Sequence, residues 1–178
     1  MPDTAKRRLV MTIAAFSVMV CSYAQPRTLG AAFSYNGISV AYEHVLSEDC
    51  FIMTDLRAEL GEVFINRTDI PGISASVTAN FILRSWLSAN GNPISFFAGP
   101  GAAIGVVSDY HQEKGLFFGL KGRIGLECFF NRKVSISVSL NPILGTHMVI
   151  KDDAVQMKYY KYGLLSSILP EIGIKYAF

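Results

Sequence analysis

Several things are scarce in this sequence. Cysteine occurs three times and histidine three times in 178 residues, and neither type is paired or clustered. Metal-ligand spacing is therefore absent, no cofactor is implied, and a disulfide-dense scaffold is excluded. Charge bias is also missing. Lys and Arg number 16 against 14 Asp and Glu. That balance leaves no basic footprint for nucleic acid. No stretch of ~18 uninterrupted apolar residues exists, which excludes a spanning helix. The richest segment, Ile94 to Val107, is interrupted by Ser95, Gly99, Pro100, Gly101 and Gly105. There is no internal repeat and no low-complexity tract. Yet 51% of the residues are hydrophobic, and this content has to be placed without a spanning helix.

The first 24 residues form a unit apart. Lys6, Arg7 and Arg8 precede a mostly apolar run, Leu9 to Val20, and Ser22-Tyr23-Ala24 puts small residues at −3 and −1 of a cut before Gln25. This is the pattern of a cleaved signal peptide. A lipid anchor on Cys21 is disfavoured by the bulky Val20 before it. The expected division is residues 1–24 as signal and 25–178 as one exported domain. That domain has 13 basic and 13 acidic groups.

The last eleven residues show the pattern of the remainder. Ile168, Pro170, Ile172, Ile174, Tyr176 and Phe178 alternate with Leu169, Glu171, Gly173, Lys175 and Ala177. A period of two is that of a strand. Eight such segments are predicted: Thr28–Tyr35, Ile38–Leu46, Phe51–Phe64, Gly72–Trp86, Ile94–Ser108, Gly115–Phe130, Val134–Ile150 and Tyr162–Phe178. Asn36-Gly37 is a two-residue hairpin turn. Three connections, 65–71, 109–114 and 151–161, are longer and more polar than most of the turns at the opposite end. Short turns on one side and long loops on the other are the habit of outer-membrane barrels. The predicted fold is an all-β, closed, eight-stranded, antiparallel, up-and-down transmembrane barrel.

Alternation alone does not say which face is outside. A lipocalin-like soluble barrel points its apolar face inward, and a membrane barrel does the reverse. Three features favour the membrane barrel. The polar face is rich in Ser and Gly, as suits a crowded lumen. Its charges balance, with Glu43, Asp55, Glu59, Glu127 and Glu171 against Arg57, Arg84, Lys121, Arg123 and Lys175. The apolar face carries aromatics near strand ends (Tyr42, Phe96, Phe118, Phe130, Tyr176 and Phe178). Ten charges in so narrow an interior need pairing. The expectation is a salt-bridged plug. Cys50, at the turn before the third predicted strand, and Cys128, on the sixth, belong to non-adjacent strands and are expected to be free thiols.

The chain resembles the small outer-membrane β-barrel proteins of Bacteroidota, of eight-stranded OmpA-transmembrane or OmpX-like architecture. The resemblance rests on Ala24-Gln25, Tyr42-Glu43-His44, Ile124-Gly125-Leu126-Glu127, Asn141-Pro142 and the closing Gly173-Ile174-Lys175-Tyr176-Ala177-Phe178. It implies location in the bacterial outer membrane, contact with its lipids and lipopolysaccharide, and an assembly signal at Ile172, Ile174, Tyr176 and Phe178 for the barrel-assembly machinery. Conjugation proteins of that group are similar in size and ending. The family implies a place and not an activity.

Two candidate sites lie at the loop end. Ser108, His111 and His147 supply the residue types of a lipid A deacylase or acyltransferase, but at no motif spacing. Lys158, Tyr159, Tyr160 and Lys161, in the loop 151–161, could contact an envelope or extracellular protein or lipopolysaccharide phosphates. The function expected is non-enzymatic: structural, adhesive or partner-binding. A lipid-modifying enzyme and a narrow channel are the alternatives.

Overall fold

The computed structural model describes residues 27–60, 71–108, 114–131, 133–151, 154–160, 164 and 168–178. The expected signal peptide lies outside these residues, as do Cys21, His111 and Lys161. Ten strands occur among the described residues: β1 (Arg27–Ser34), β2 (Gly37–Ser47), β3 (Cys50–Glu59), β4 (Gly72–Leu87), β5 (Pro93–Ser108), β6 (Lys114–Phe129), β7 (Val134–Leu140), β8 (Ile143–Lys151), β9 (Ala154–Tyr159) and β10 (Glu171–Ala177). Every pairing is antiparallel. No helix among the described residues is long and apolar enough to cross a membrane.

Eight of the strands form a ring. Strands β1 to β7 pair in sequence, β7 pairs β10, and β10 pairs β1. The closed, up-and-down, eight-stranded barrel is thus as expected. Its stagger follows from the register. Leu126 lies opposite Val138, which leads to Ile172, Phe33, Ile38, Ala58, Ile73 and Val106, and so back to β6 at Leu116. The path returns ten residues from its start. With eight strands, that shear tilts the strands by ~40° and leaves an interior that side chains just fill.

The same path runs over the outside. Leu126, Val138, Ile172, Phe33, Ile38, Ile73, Val106 and Leu116 are all exposed, and Leu120 is 71% exposed. Inward neighbours are the reverse: Lys121 is 4% exposed and Arg123 3%. Burial is inverted relative to a water-soluble barrel, which removes the lipocalin-like alternative.

The eighth predicted strand is corrected. Residues 154–159, expected in a loop, form β9, where Val155, Met157 and Tyr159 alternate with Gln156 and Lys158. Its partner is β8, with Tyr159 opposite Thr146. Of the predicted Tyr162–Phe178, strand β10 takes Glu171–Ala177; residues 168–170 lie outside the strand, and residues 162, 163 and 165–167 lie outside the described residues. The seventh predicted strand divides at Asn141-Pro142, because Pro142 has no N–H to give. Register against β6 nevertheless continues across the break. Lys121 faces Ile143 and Ile124 faces Leu140, while Gly122 N–H donates to the Pro142 carbonyl at 2.8 Å.

Candidate functional site

The lumen is where the sheet gathers its ionised side chains. Small residues at the register partners give them room. Lys175 lies between Gly30 and Ser135, Arg57 between Ser39 and Ser74, and Arg123 opposite Gly99. A Cβ at Gly99 would come within 1.9 Å of the Ala79 carbonyl oxygen, so strands β4 and β5 close up only because it is absent. The long chains then cross the lumen to partners distant in sequence.

Three ionic groups result. Lys175 Nζ donates to Glu43 Oε2 at 2.7 Å and to Glu127 Oε2 at 2.6 Å. Ser135 donates to the other oxygen of Glu127. Lys121 Nζ donates to Asp55 Oδ2 at 2.8 Å and to Ser76 Oγ at 2.6 Å, and Ser76 donates to the same carboxylate oxygen of Asp55. Arg57 pairs with Glu171. Near them, Ser74 Oγ donates to Glu59 Oε1 at 2.6 Å. Burying such charges is costly unless geometry and hydrogen bonds compensate, and here hydroxyls supply part of the compensation.

Apolar rings frame these groups. Phe51 and Phe97 meet edge-on with centroids 5.5 Å apart. Arg123 lies 5.3 Å above the Phe97 ring and Lys175 lies 5.4 Å from that of Phe51. Ala41 and Met53 complete this cluster, against which Val45 and Ile82 pack. A second cluster of Ala103, Val107 and Phe117, with Ile143 and Tyr160, fills the loop end. Phe117 and Tyr160 stack at 4.8 Å.

Nine of the ten predicted lumen charges face inward. Arg84 does not. It is exposed on the outer face because the register of β4 against β5 shifts between Ile82 and Arg84. Without the extra residue, Arg84 would lie opposite the buried Ser95. With it, Arg84 lies opposite Phe96. Five acids therefore meet four bases in the described lumen.

The predicted catalytic set is not assembled by the described residues. His147 is 2% exposed, and its Nε2 lies 3.2 Å from the Val107 carbonyl oxygen. Its Nδ1 makes no hydrogen bond among the described residues. Ser108 is the last residue of β5, paired with Lys114 in the ladder. The predicted partner set also divides. Lys158 and Tyr159 are exposed on β9, whereas Tyr160 turns toward Phe117 and its ring lies 6.3 Å from that of His147. Ile172, Ile174, Tyr176 and Phe178 are all exposed on the outside. Cys50 and Cys128 are both free. No group of three His, Cys, Asp or Glu that could hold a metal occurs among the described residues.

The sequence reading missed the hydroxyl partners Ser74, Ser76 and Ser135 and the lumen aromatics Phe51 and Phe97. Parity carried the signal for the serines, since Ser74 lies opposite Arg57, Ser76 opposite Asp55 and Ser135 opposite Lys175. Phe51, opposite Val45 and Asn80, and Phe97, opposite Ile82 and Gly125, had no lumen charge to mark them.

The architecture has solved counterparts. The N-terminal β-barrel domain of OprF from Pseudomonas aeruginosa is similar at a TM-score of 0.53 and 9% identity, with 86% of this chain and 96% of that one covered. The fold is a β-barrel of that kind. Two structures of Ail from Yersinia pestis align at TM-scores of 0.36 and 0.35, with 15% and 13% identity, 86% of this chain covered in both, and 98% and 94% of the other chains. No family model and no curated protein matches the sequence.

Proposed function

We propose that this chain is an integral outer-membrane protein with a plugged lumen, serving a structural, adhesive or partner-binding role. The inverted burial carries the reading. Leu120 is 71% exposed while its neighbour Lys121, 4% exposed, is ion-paired inside. A surface of this kind is stable in lipid, and a closed barrel leaves no unpaired edge inside the hydrocarbon. The leader at residues 1–24 fits export through a cleaved signal, and Ile172, Ile174, Tyr176 and Phe178 fit a C-terminal assembly signal. Lys158 and Tyr159, exposed on β9, are the candidate partner contacts.

Two measurements test this reading. Unboiled protein from the membrane fraction is expected to migrate differently from boiled protein. In planar bilayers it is expected to give no stable conductance, since the pairs of Lys121, Lys175 and Arg57 cross the lumen. A steady open current would remove the plug. The enzymatic reading is not favoured, because His147 bonds a backbone carbonyl. Lipid A from membranes with and without the protein is accordingly expected to have the same mass.

A further inference from the structure

One cation stands on the wrong side of the wall. Arg84 is exposed on the outer face, and no carboxylate partners it among the described residues. Its position is imposed by the bulge. Ile82 stays opposite Phe97 and packs on the Phe51–Phe97 cluster, Leu83 is the extra residue, and Arg84 is re-aimed outward. Arg84 shares an open recess with Trp86 and Phe96, and with no other described residue.

The height of this spot is informative. Strand β3 begins at Cys50, opposite Phe81, whereas β4 continues to Leu87, so Arg84 and Trp86 project beyond the end of β3 on the side of the chain ends. Above them on β4, the outward residues are Ile73, Ala75, Val77, Ala79 and Phe81. Discounting the bulged residue, Ile73 to Arg84 is ten strand steps. At ~3.3 Å per step and ~40° tilt this is ~25 Å along the axis, the height of the apolar band of an outer-membrane barrel. Arg84 therefore comes where hydrocarbon ends and headgroups begin, flanked by the residue types of an interfacial girdle.

We infer that Arg84, with Trp86 and Phe96, is a binding site for the phosphate of a glycerophospholipid in the leaflet on the chain-end side. Guanidinium presents a planar fork of donors that matches phosphate oxygens, and the aromatic pair lies beside the glycerol and upper acyl region. The site rests on the membrane reading above and adds to it a headgroup chemistry and a place. A bulge that brings an arginine out of a lumen with an excess of acid fits a position selected for what lies outside.

Trp86 is the single tryptophan of the chain, so its fluorescence reports this spot alone. The full chain is folded into phosphatidylglycerol vesicles as wild type, R84Q and R84K. Trp86 is expected to be quenched more strongly by lipids brominated near the glycerol than by lipids brominated near the chain ends. After detergent extraction, wild type and R84K are expected to retain phosphatidylglycerol by mass spectrometry. R84Q is expected to retain about fivefold less, the equivalent of ~1 kcal/mol for one basic residue at the surface. Equal retention by R84Q, with shallow quenching intact, overturns the phosphate site and leaves the membrane reading standing. Absence of quenching by either brominated lipid overturns both. A shift of Trp86 emission by inorganic phosphate alone, present in wild type and lost in R84Q, identifies a free-anion site and overturns the lipid assignment.

Discussion

Lys175 holds two carboxylates at once in the lumen. It bridges Glu43 and Glu127 and lies within 5.8 Å of the Phe97 centroid and 5.4 Å of that of Phe51. Removing it leaves two buried carboxylates without their shared cation. Breaking a buried pair from one side costs ~3–5 kcal/mol, because the remaining charge is uncompensated. Lys175→Met is therefore expected to destabilise the folded barrel by about that amount, read from the urea midpoint in detergent or vesicles. Adding Glu127→Gln to Lys175→Met removes one of the stranded charges and is expected to recover part of the loss. A double variant as unstable as the single one would show that packing around Phe51 and Phe97, and not charge, sets the cost. Truncation of a lumen ring works through a different term. Phe97 is 0% exposed, and Phe97→Ala is expected to cost ~3–5 kcal/mol through the cavity it leaves, with no rescue by Glu127→Gln.

Among the elements, β9 stands apart from the ring. It pairs β8 on one side and no described strand on the other, whereas β5 and β6 are paired on both sides over most of their length. Backbone groups on an open edge exchange through local fraying, and those inside a ring require wider opening. Amides of residues 154–159 are expected to exchange at least ~10-fold faster than those of 117–127 in deuterium-exchange mass spectrometry. Equal protection would mean that the second edge of β9 is covered. The same contrast shows what the sequence disclosed. Strands β1 to β7 were legible because each alternates over a long run and is bounded by a turn. Strand β9 was not, because Asp152-Asp153 and Lys158 made its segment look like a loop, and the alternation of Val155, Met157 and Tyr159 spans only five residues. Nine lumen charges followed from parity. Arg84 did not, because parity assumes unbroken register and the bulged Leu83 has no marker in the sequence. Which acid meets which base was also illegible, since Glu43 with Lys175 or Asp55 with Lys121 depends on a ring stagger that only the pairing reveals.

At the scale of the whole molecule, the barrel puts opposite solvents on the two faces of one sheet, and substitutions should respond to face rather than to burial. Leu120 is the sharpest case. It is among the most exposed hydrophobic residues described, at 71%, and it lies between Lys121 and Gly119, both directed inward. In a water-soluble protein, arginine at so exposed a position would cost within ~0.5 kcal/mol. On the lipid face of an outer-membrane barrel, arginine near the midplane costs ~2–4 kcal/mol. Leu120 lies roughly midway along β6 between Leu116 and Leu126, the two ends of the outward path. Leu120→Arg is therefore expected to lower the stability of the folded chain in phospholipid vesicles by ~2–4 kcal/mol. Glu48→Arg, at the exposed turn between β2 and β3, is expected to change it by no more than ~0.5 kcal/mol. Reversible urea unfolding in vesicles, followed by Trp86 emission, reads both. If the two variants proved equally harmless, the apolar exterior would not be facing hydrocarbon, and the inverted burial would need a protein cover in place of a lipid one.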